Sequence, residues 1–384
     1  MKILNIVGDS EYGGGSFLIQ RLSESAIAQG WEVDVLTTNE RFQNTLKDHG
    51  IGIVDLDVIW RPIRPFKDLQ GACRLVRFLK NSEYNLIHTH TSKAGIVGRW
   101  AAHKAGMRSI VHTVHGFAFH EESKPLTMRF YSMMERMAAR WCDKLVTVSD
   151  FHRQWALRLG IGKPDQVISI PNGIPPSRVE VVKAPTIVRK ELGITHEELL
   201  MLSTGRLARQ KGLEYLLESI ILLEEKLKRP YRVILAGDGP LRSDLQSMVV
   251  RLGIQHRVKF LGFREDVGSI LAMCDIVVLP SLWEGLSIAL LEAMAAGKPI
   301  VTTTIGSNKE VTRNGEAAIL IPTKDPKAIA DAIVHLVHNP TTAASLAKNG
   351  RNIYYEGYTE ERMLKKYMTL YEDLISQKGS NQTC

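Results

Sequence analysis

The chain has 384 residues, enough for two domains that each bury a core. Its composition, 44% hydrophobic and 23% charged, is that of an ordinary globular protein, with no low-complexity tract and no solenoid-type repeat. Lys and Arg total 49 against 41 Asp and Glu, and an excess of +8 is moderate enough that its location matters more than its size.

In chain order, Lys2–Val7 is expected to be a buried parallel strand, and its apolar run reaches Gly8 and Asp9 too soon for a signal peptide. The loop GDSEYGGGS follows, in which Gly13, Gly14 and Gly15 allow close backbone approach to a ligand and Ser16 is placed to cap a helix beginning near Phe17. It lacks the spacing of the dinucleotide fingerprint. Residues 31–38 and 52–58 read as further strands. Asp55 and Asp57 form a D-x-D string, but their alternation with Ile53, Val54, Leu56 and Val58 reads as edge or solvent-facing aspartates rather than metal ligands.

Residues 61–80 hold Arg61, Arg64, Lys67, Arg74, Arg77 and Lys80 against the single acid Asp68, with Leu75, Val76, Phe78 and Leu79 interleaved. Such a segment is a solvated helix face or a surface for anionic lipid. Residues 85–95 (NLIHTHTSKAG) form a strand running into a His- and Ser-rich loop, with His88 and His90 on one side of the strand. Residues 109–121 read as a strand in which His112 is packed and His115 stands at the strand–loop junction. A Met- and Arg-rich helix is expected over 126–141, explained mostly by core packing. Strands over 144–149 and 166–174 finish a first parallel α/β domain.

Pro175, Pro176 and Pro185 mark a linker. Strands then recur over 199–205, 231–240, 258–263, 275–280, 299–304 and 317–322 with helices between, and strand alternating with helix twice over implies two doubly wound domains. Ligands of such sheets sit at the carboxyl ends of the strands. There the second domain offers Arg206 and Lys211, then Gly239 in GDGP, then Phe263 in Gly262-Phe263-Arg264. The four cysteines, Cys73, Cys142, Cys274 and Cys384, show no C-x-x-C pair, so neither a zinc site nor a disulfide framework is expected, and a reducing cytosol fits.

The stretch PSLWEGLSIALLEAMAAGKPI (280–300) organises the rest. A polar elbow leads into a helix closed by Gly297 and Pro299. Glu292 stands eight positions after Glu284, about 12 Å along the helix and about 80° around it. Glu292 lies among Leu290, Leu291, Ala293 and Met294, a poor place for an idle charge. The amides of Gly285, Leu286 and Ser287 are expected at the helix start, where the dipole favours anions. Carboxylates for hydroxyls beside an anion site suit a nucleotide sugar.

With WEG before it and LLEAMAAGKPIV after it, this Glu-x7-Glu spacing resembles the signature of family 4 retaining glycosyltransferases, of the bacterial surface-polysaccharide type. The resemblance covers essentially the whole chain and is stronger in the second half. It implies the GT-B fold, two facing Rossmann-like domains with a cleft between them: an acceptor-side domain over 1–174, a nucleotide-sugar domain over 175–356, and a C-terminal helix over 357–384 returning to the first domain. It implies that Glu284 contacts the donor sugar, Glu292 the ribose, and that Arg206 and Lys211 clamp the diphosphate. It also places Gly14 and Gly15 against the donor phosphates and Phe263 near the base, and makes His115 the histidine that contacts the sugar from the first domain. No cofactor and no metal are expected. The partners implied are a nucleotide sugar and a sugar or lipid-linked acceptor, with an anionic membrane surface at 61–80 and no nucleic acid. The location implied is cytoplasmic, peripheral on the membrane's inner face. An epimerase on the same fold would need further acid–base groups, for which His88, His90 and His120 are the candidates. A two-domain binding protein is the non-enzyme alternative.

Overall fold

Ser109–Val114 and Leu199–Thr204 are buried along their whole lengths, and strands covered on both faces require helices on both faces. The computed structural model describes residues 1–8, 13–59 and 64–379. Residues 9–12 of the glycine-rich loop, Arg61 and Cys384 therefore lie outside the described residues. The chain divides into two units, Met1–Asn172 together with the chain from Glu361 on, and Gly173–Glu360.

The first unit runs β1 (Lys2–Gly8), α1 (Gly14–Ala28), β2 (Glu32–Thr37), α2 (Glu40–Asp48), β3 (Gly52–Val54), α3 (Pro65–Lys80), β4 (Leu86–His90), α4 (Ser92–Ala105), β5 (Ser109–Val114), α5 (Pro125–Ala139), β6 (Lys144–Thr147), α6 (Asp150–Arg158) and β7 (Val167–Ser169). Its strands form one parallel sheet in the order β3-β2-β1-β4-β5-β6-β7. The chain moves outward from β1 to β3 and then returns to β4, so the topological switch lies between β1 and β4.

Three expectations are corrected here. The β3 strand stops at Val54 because it is an edge strand with one neighbour, and Asp55 and Asp57 follow it as exposed residues. Helix α1 starts at Gly14, and Ser16 is buried inside it rather than capping it; Gly13 holds the N-cap position in extended backbone. No loop separates β4 from α4: one residue, Thr91 at φ 60°, turns the chain directly into the helix.

The second unit contains α7 (Pro185–Glu191), β8 (Leu199–Thr204), α8 (Leu213–Lys226), β9 (Tyr231–Ala236), α9 (Arg242–Arg251), β10 (Val258–Gly262), α10 (Val267–Met273), β11 (Ile276–Leu279), α11 (Ile288–Ala295), β12 (Ile300–Thr303), α12 (Gly306–Val311), β13 (Ile319–Ile321), α13 (Pro326–His338) and α14 (Pro340–Gly357). Its parallel sheet has the order β10-β9-β8-β11-β12-β13, with the switch between β8 and β11. The segment read as a linker is a packed part of this unit. Its 3-10 turn Pro176–Val179 lies so close to α10 that a Cβ on Gly268 would stand 2.1 Å from the Glu180 carbonyl oxygen.

The last helix is α15 (Glu360–Gly379), which starts three residues later than the predicted 357 because α14 closes first. From Glu361 it belongs to the first unit, where Tyr371 Oη hydrogen bonds His88 Nδ1 at 2.6 Å and Tyr367 Oη meets Thr113 Oγ1 at 3.0 Å.

Candidate functional site

The carboxyl ends of β8 and β11 flank the second unit's switch point, where a doubly wound sheet leaves room for a ligand. Two close approaches shape it. Gly212, at φ 58°, admits the Pro280 carbonyl oxygen 2.3 Å from where a Cβ would be, and Gly237, at φ 148°, admits that of Gly205 at 1.9 Å. Neither position accepts a side chain. The Leu282 N–H then donates to the Gln210 carbonyl at 2.8 Å, joining the loop after β8 to the elbow after β11.

Glu284, with 7% of its side chain exposed, is held from three directions. Lys211 Nζ lies 2.5 Å from Oε1, Ser281 Oγ donates to the same oxygen at 2.9 Å, and Gln210 Nε2 donates to Oε2 at 2.8 Å. Ser307 Oγ donates to the Glu284 backbone carbonyl at 3.2 Å. Lys211 and Glu284 are thus partners in the chain itself, a pairing the 73-residue separation hides from sequence reading.

Helix α11 begins at Ile288, three residues later than the elbow amides require, so the expectation for Gly285, Leu286 and Ser287 is corrected. Ser287 is the N-cap, its hydroxyl accepting from Leu290 N–H at 3.3 Å, while Gly285 and Leu286 are buried elbow residues before it. The apolar run from Ala289 to Ala295 is buried throughout, and Glu292 is buried with it, 4% exposed. Burial pushes the Glu292 carboxyl above its ordinary value, and Arg178 and Lys211 pull it back. Arg178 Nε donates to Glu292 Oε1 at 2.8 Å. Arg178 is the site residue that sequence reading missed. Its only signal was a cation inside the proline-marked segment, which reads as linker.

Around these charges stand the other predicted donor residues. Arg206 is exposed just after β8, and Gly239, after β9, packs where a Cβ would meet the Leu207 carbonyl oxygen at 2.5 Å. Phe263, after β10, is 52% exposed. Arg206, Lys211, Gly239, Phe263 and Glu284 therefore follow four adjacent strands, β10-β9-β8-β11, at one edge of one sheet.

The first unit holds Gly14 and Gly15 at the opening of α1 and His115 directly after β5. His115, half-buried, joins three buried histidines. Its Nε2 lies 3.1 Å from His90 Nδ1, and its ring is stacked on that of His90 with centroids 5.3 Å apart. His88 and His90 do share one side of β4, with centroids 4.0 Å apart, and His112 is packed, its Nδ1 3.0 Å from the Thr89 carbonyl oxygen. Burial lowers the pKa of all four, that of His115 to about 4, so they are neutral at pH 7. Among the described residues, no group of three or more His, Cys, Asp or Glu is placed to hold a metal ion, and no helix is long and apolar enough to cross a membrane.

The family model described as "Glycosyl transferases group 1" matches residues 186–353, and that described as "Glycosyl transferase 4-like domain" matches residues 13–173. The chain is 30% identical over 334 residues, 86% of each chain, to a UDP-Gal:alpha-D-GlcNAc-diphosphoundecaprenol alpha-1,3-galactosyltransferase of Escherichia coli. It is 25% identical to an N,N'-diacetylbacillosaminyl-diphospho-undecaprenol alpha-1,3-N-acetylgalactosaminyltransferase of Campylobacter jejuni, over 90% of this chain and 92% of that one. In fold it is similar to the crystal structure of Anabaena HepE in complex with UDP and glucose, with a TM-score of 0.83 at 23% identity, covering 97% of this chain and 100% of that one.

Proposed function

The chain belongs to the family 4 glycosyltransferases of GT-B fold, and from that premise we propose that it transfers a sugar, with retention and without a metal, from a nucleoside-diphosphate sugar to a lipid-linked sugar acceptor. The observation that carries the reading is the charge cluster at the second unit's switch point: Lys211 paired with Glu284, and Glu292 paired with Arg178, behind the exposed Arg206. Two carboxylates suit sugar and ribose hydroxyls, and the cations suit a diphosphate. Arg206 and Lys211 stabilise the charge that develops on the departing nucleoside diphosphate, which is the work a divalent ion does elsewhere. The released phosphate oxygen takes the acceptor's proton, so no separate base is needed. The names of the Escherichia coli and Campylobacter jejuni relatives, both acting on undecaprenyl-diphosphate sugars, support the lipid-linked acceptor and a place in polysaccharide synthesis. An epimerase reading loses two of its acid–base candidates, because His88 and His90 are spent on buried hydrogen bonds to Tyr371, Thr113 and Asn5.

Peripheral attachment to an anionic membrane belongs to the same reading. Helix α3 and its N-cap Arg64 expose that arginine, Lys67, Arg74, Arg77 and Lys80 together with Phe66 and Leu69, which are 87% and 60% exposed. Helix α5 exposes Leu126, Phe130, Met133 and Met137 at helical spacing beside Arg129, Arg136 and Arg140, and α4 packs against both helices. Basic side chains flanking an exposed apolar stripe suit a lipid headgroup layer.

Calorimetry with UDP alone, after a thermal-shift panel has identified the donor, tests the placement. Glu292→Gln removes a charged acceptor from the ribose and should weaken UDP binding about 10- to 150-fold. Glu284→Gln removes the charged sugar contact and leaves Lys211 a neutral oxygen partner in place of a carboxylate, so UDP binding should not weaken while kcat falls. Equal weakening by both, or weakening by Glu284→Gln alone, places the donor elsewhere.

A further inference from the structure

Among the described residues, one ring nitrogen of the His88, His90 and His115 stack meets no donor or acceptor. His115 Nδ1 is buried and has no hydrogen-bond partner among the described residues, while both ring nitrogens of His88 and of His90 have one. A buried imidazole nitrogen left alone costs stability and calls for an explanation.

The partners behind it decide which proton each ring carries. Ser23 Oγ donates to the Ile19 carbonyl at 2.9 Å, so its lone pair accepts from Asn5 Nδ2 at 3.3 Å. That turns the Asn5 amide so that Oδ1, an acceptor only, faces His90 Nε2 at 3.2 Å. His90 must therefore carry its proton on Nε2, which leaves Nδ1 as a lone pair. Among the described residues the group facing that lone pair is His115 Nε2, at 3.1 Å, which must supply the proton of the bond. His115 is then protonated on Nε2 and bare on Nδ1. The ring of His90 is itself wedged on that of His88, which is tied to Tyr371 on α15 and to Thr113 on β5, so the whole stack is held on three strands and two helices.

We infer that Asn5 and His90 form a relay that positions His115 as a hydrogen-bond acceptor, with its Nδ1 lone pair reserved for a hydroxyl of the bound sugar. The inference deepens the glycosyltransferase reading and rests on it. A hydroxyl recognised this way must donate, so His115 contributes orientation, and neither His90 nor Asn5 touches the substrate. They are positioning residues.

The test separates the relay from the reading beneath it. Nitrogen-15 NMR of the imidazoles in the full-length parent should show the His115 Nε2 protonated and the Nδ1 unprotonated at pH 7. A proton on Nδ1 overturns the relay whatever the activity. His90→Leu and His90→Asn have the same shape, but Asn keeps an oxygen acceptor where Nδ1 stood. The Leu variant should lower kcat by roughly 5- to 10-fold, about one hydrogen bond's worth, with UDP binding unchanged. The Asn variant should retain most of the parent rate. In a His115→Ala background His90→Leu should change nothing further, because it acts only through that ring. Equal losses in the Leu and Asn variants, or an undiminished loss in the His115→Ala background, mean that His90 is merely structural and overturn the relay. If His115→Ala itself leaves transfer intact while the NMR shows the expected tautomer, it is the assignment of His115 to the sugar that fails.

Discussion

Replacing Arg178 by Met keeps the side-chain stem and removes the guanidinium from a carboxylate that is 4% exposed. Two unit charges about 4 Å apart attract by about 4 kcal/mol at an effective dielectric near 20, and removing one partner of a fully buried pair costs about 3–5 kcal/mol. The Arg178 side chain is 32% exposed, so water already screens the pair from one side. We therefore expect a loss of about 2–3 kcal/mol. In a domain of this size that lowers the Tm of the second unit's transition by roughly 5–10 °C. Its pH dependence has a definite sign. Burial raises the Glu292 carboxyl in the folded chain, so folding takes up a proton between the ordinary carboxyl value and the raised one, and stability falls as pH rises through that window. Removing Arg178, the largest influence opposing burial, moves the upper edge of the window higher. The deficit of Arg178→Met should accordingly be larger at pH 8 than at pH 5. Adding Glu292→Gln removes the buried charge and should recover part of the loss. Differential scanning calorimetry of the two variants at both pH values decides this. A deficit that is the same at pH 5 and pH 8 and untouched by Glu292→Gln would show that the ion pair contributes nothing to the fold.

On the proposed reading, turnover should be unchanged after exhaustive chelation, because Arg206 and Lys211 would supply the charge that a divalent ion supplies elsewhere. Loss of turnover restored by magnesium or manganese would refute this and promote Asp55 and Asp57, which are exposed beyond β3. Each Lys or Arg near an anionic surface contributes about 1 kcal/mol, so reversing Arg74, Arg77 and Lys80 to Glu should release the protein from phosphatidylserine vesicles at moderate salt. Leu126→Ser with Phe130→Ser should weaken the retention that survives at high salt, where charge is screened. Unchanged co-sedimentation of these variants, or none by the parent, makes both helices solvated faces.

What the sequence by itself determined is what short-range pattern encodes. The alternation of apolar runs with helix-forming stretches specified two doubly wound units, because a strand covered on both faces needs a crossover helix on each side. The same pattern marked the strand ends at which Arg206, Lys211, Gly239, Phe263 and Glu284 stand, and the polar elbow before an Ala- and Leu-rich run announced Glu284 and Glu292. The Ser287 cap shows how local the error at the elbow was: the helix start was displaced by three residues, yet the helix was not lost. What only the tertiary structure decided is which of these groups face one another. Arg178 and Glu292 are 114 positions apart, and His90 and Asn5 are 85 apart. Such pairs are set by strand order and by packing of the segment read as a linker, neither of which leaves a periodic trace in the chain. The lone Nδ1 of His115 is the extreme case, since its state follows from hydrogen bonds passed through Ser23, Asn5 and His90 on three different elements. A proton's position depends on the full set of neighbours, and only the folded chain assembles that set.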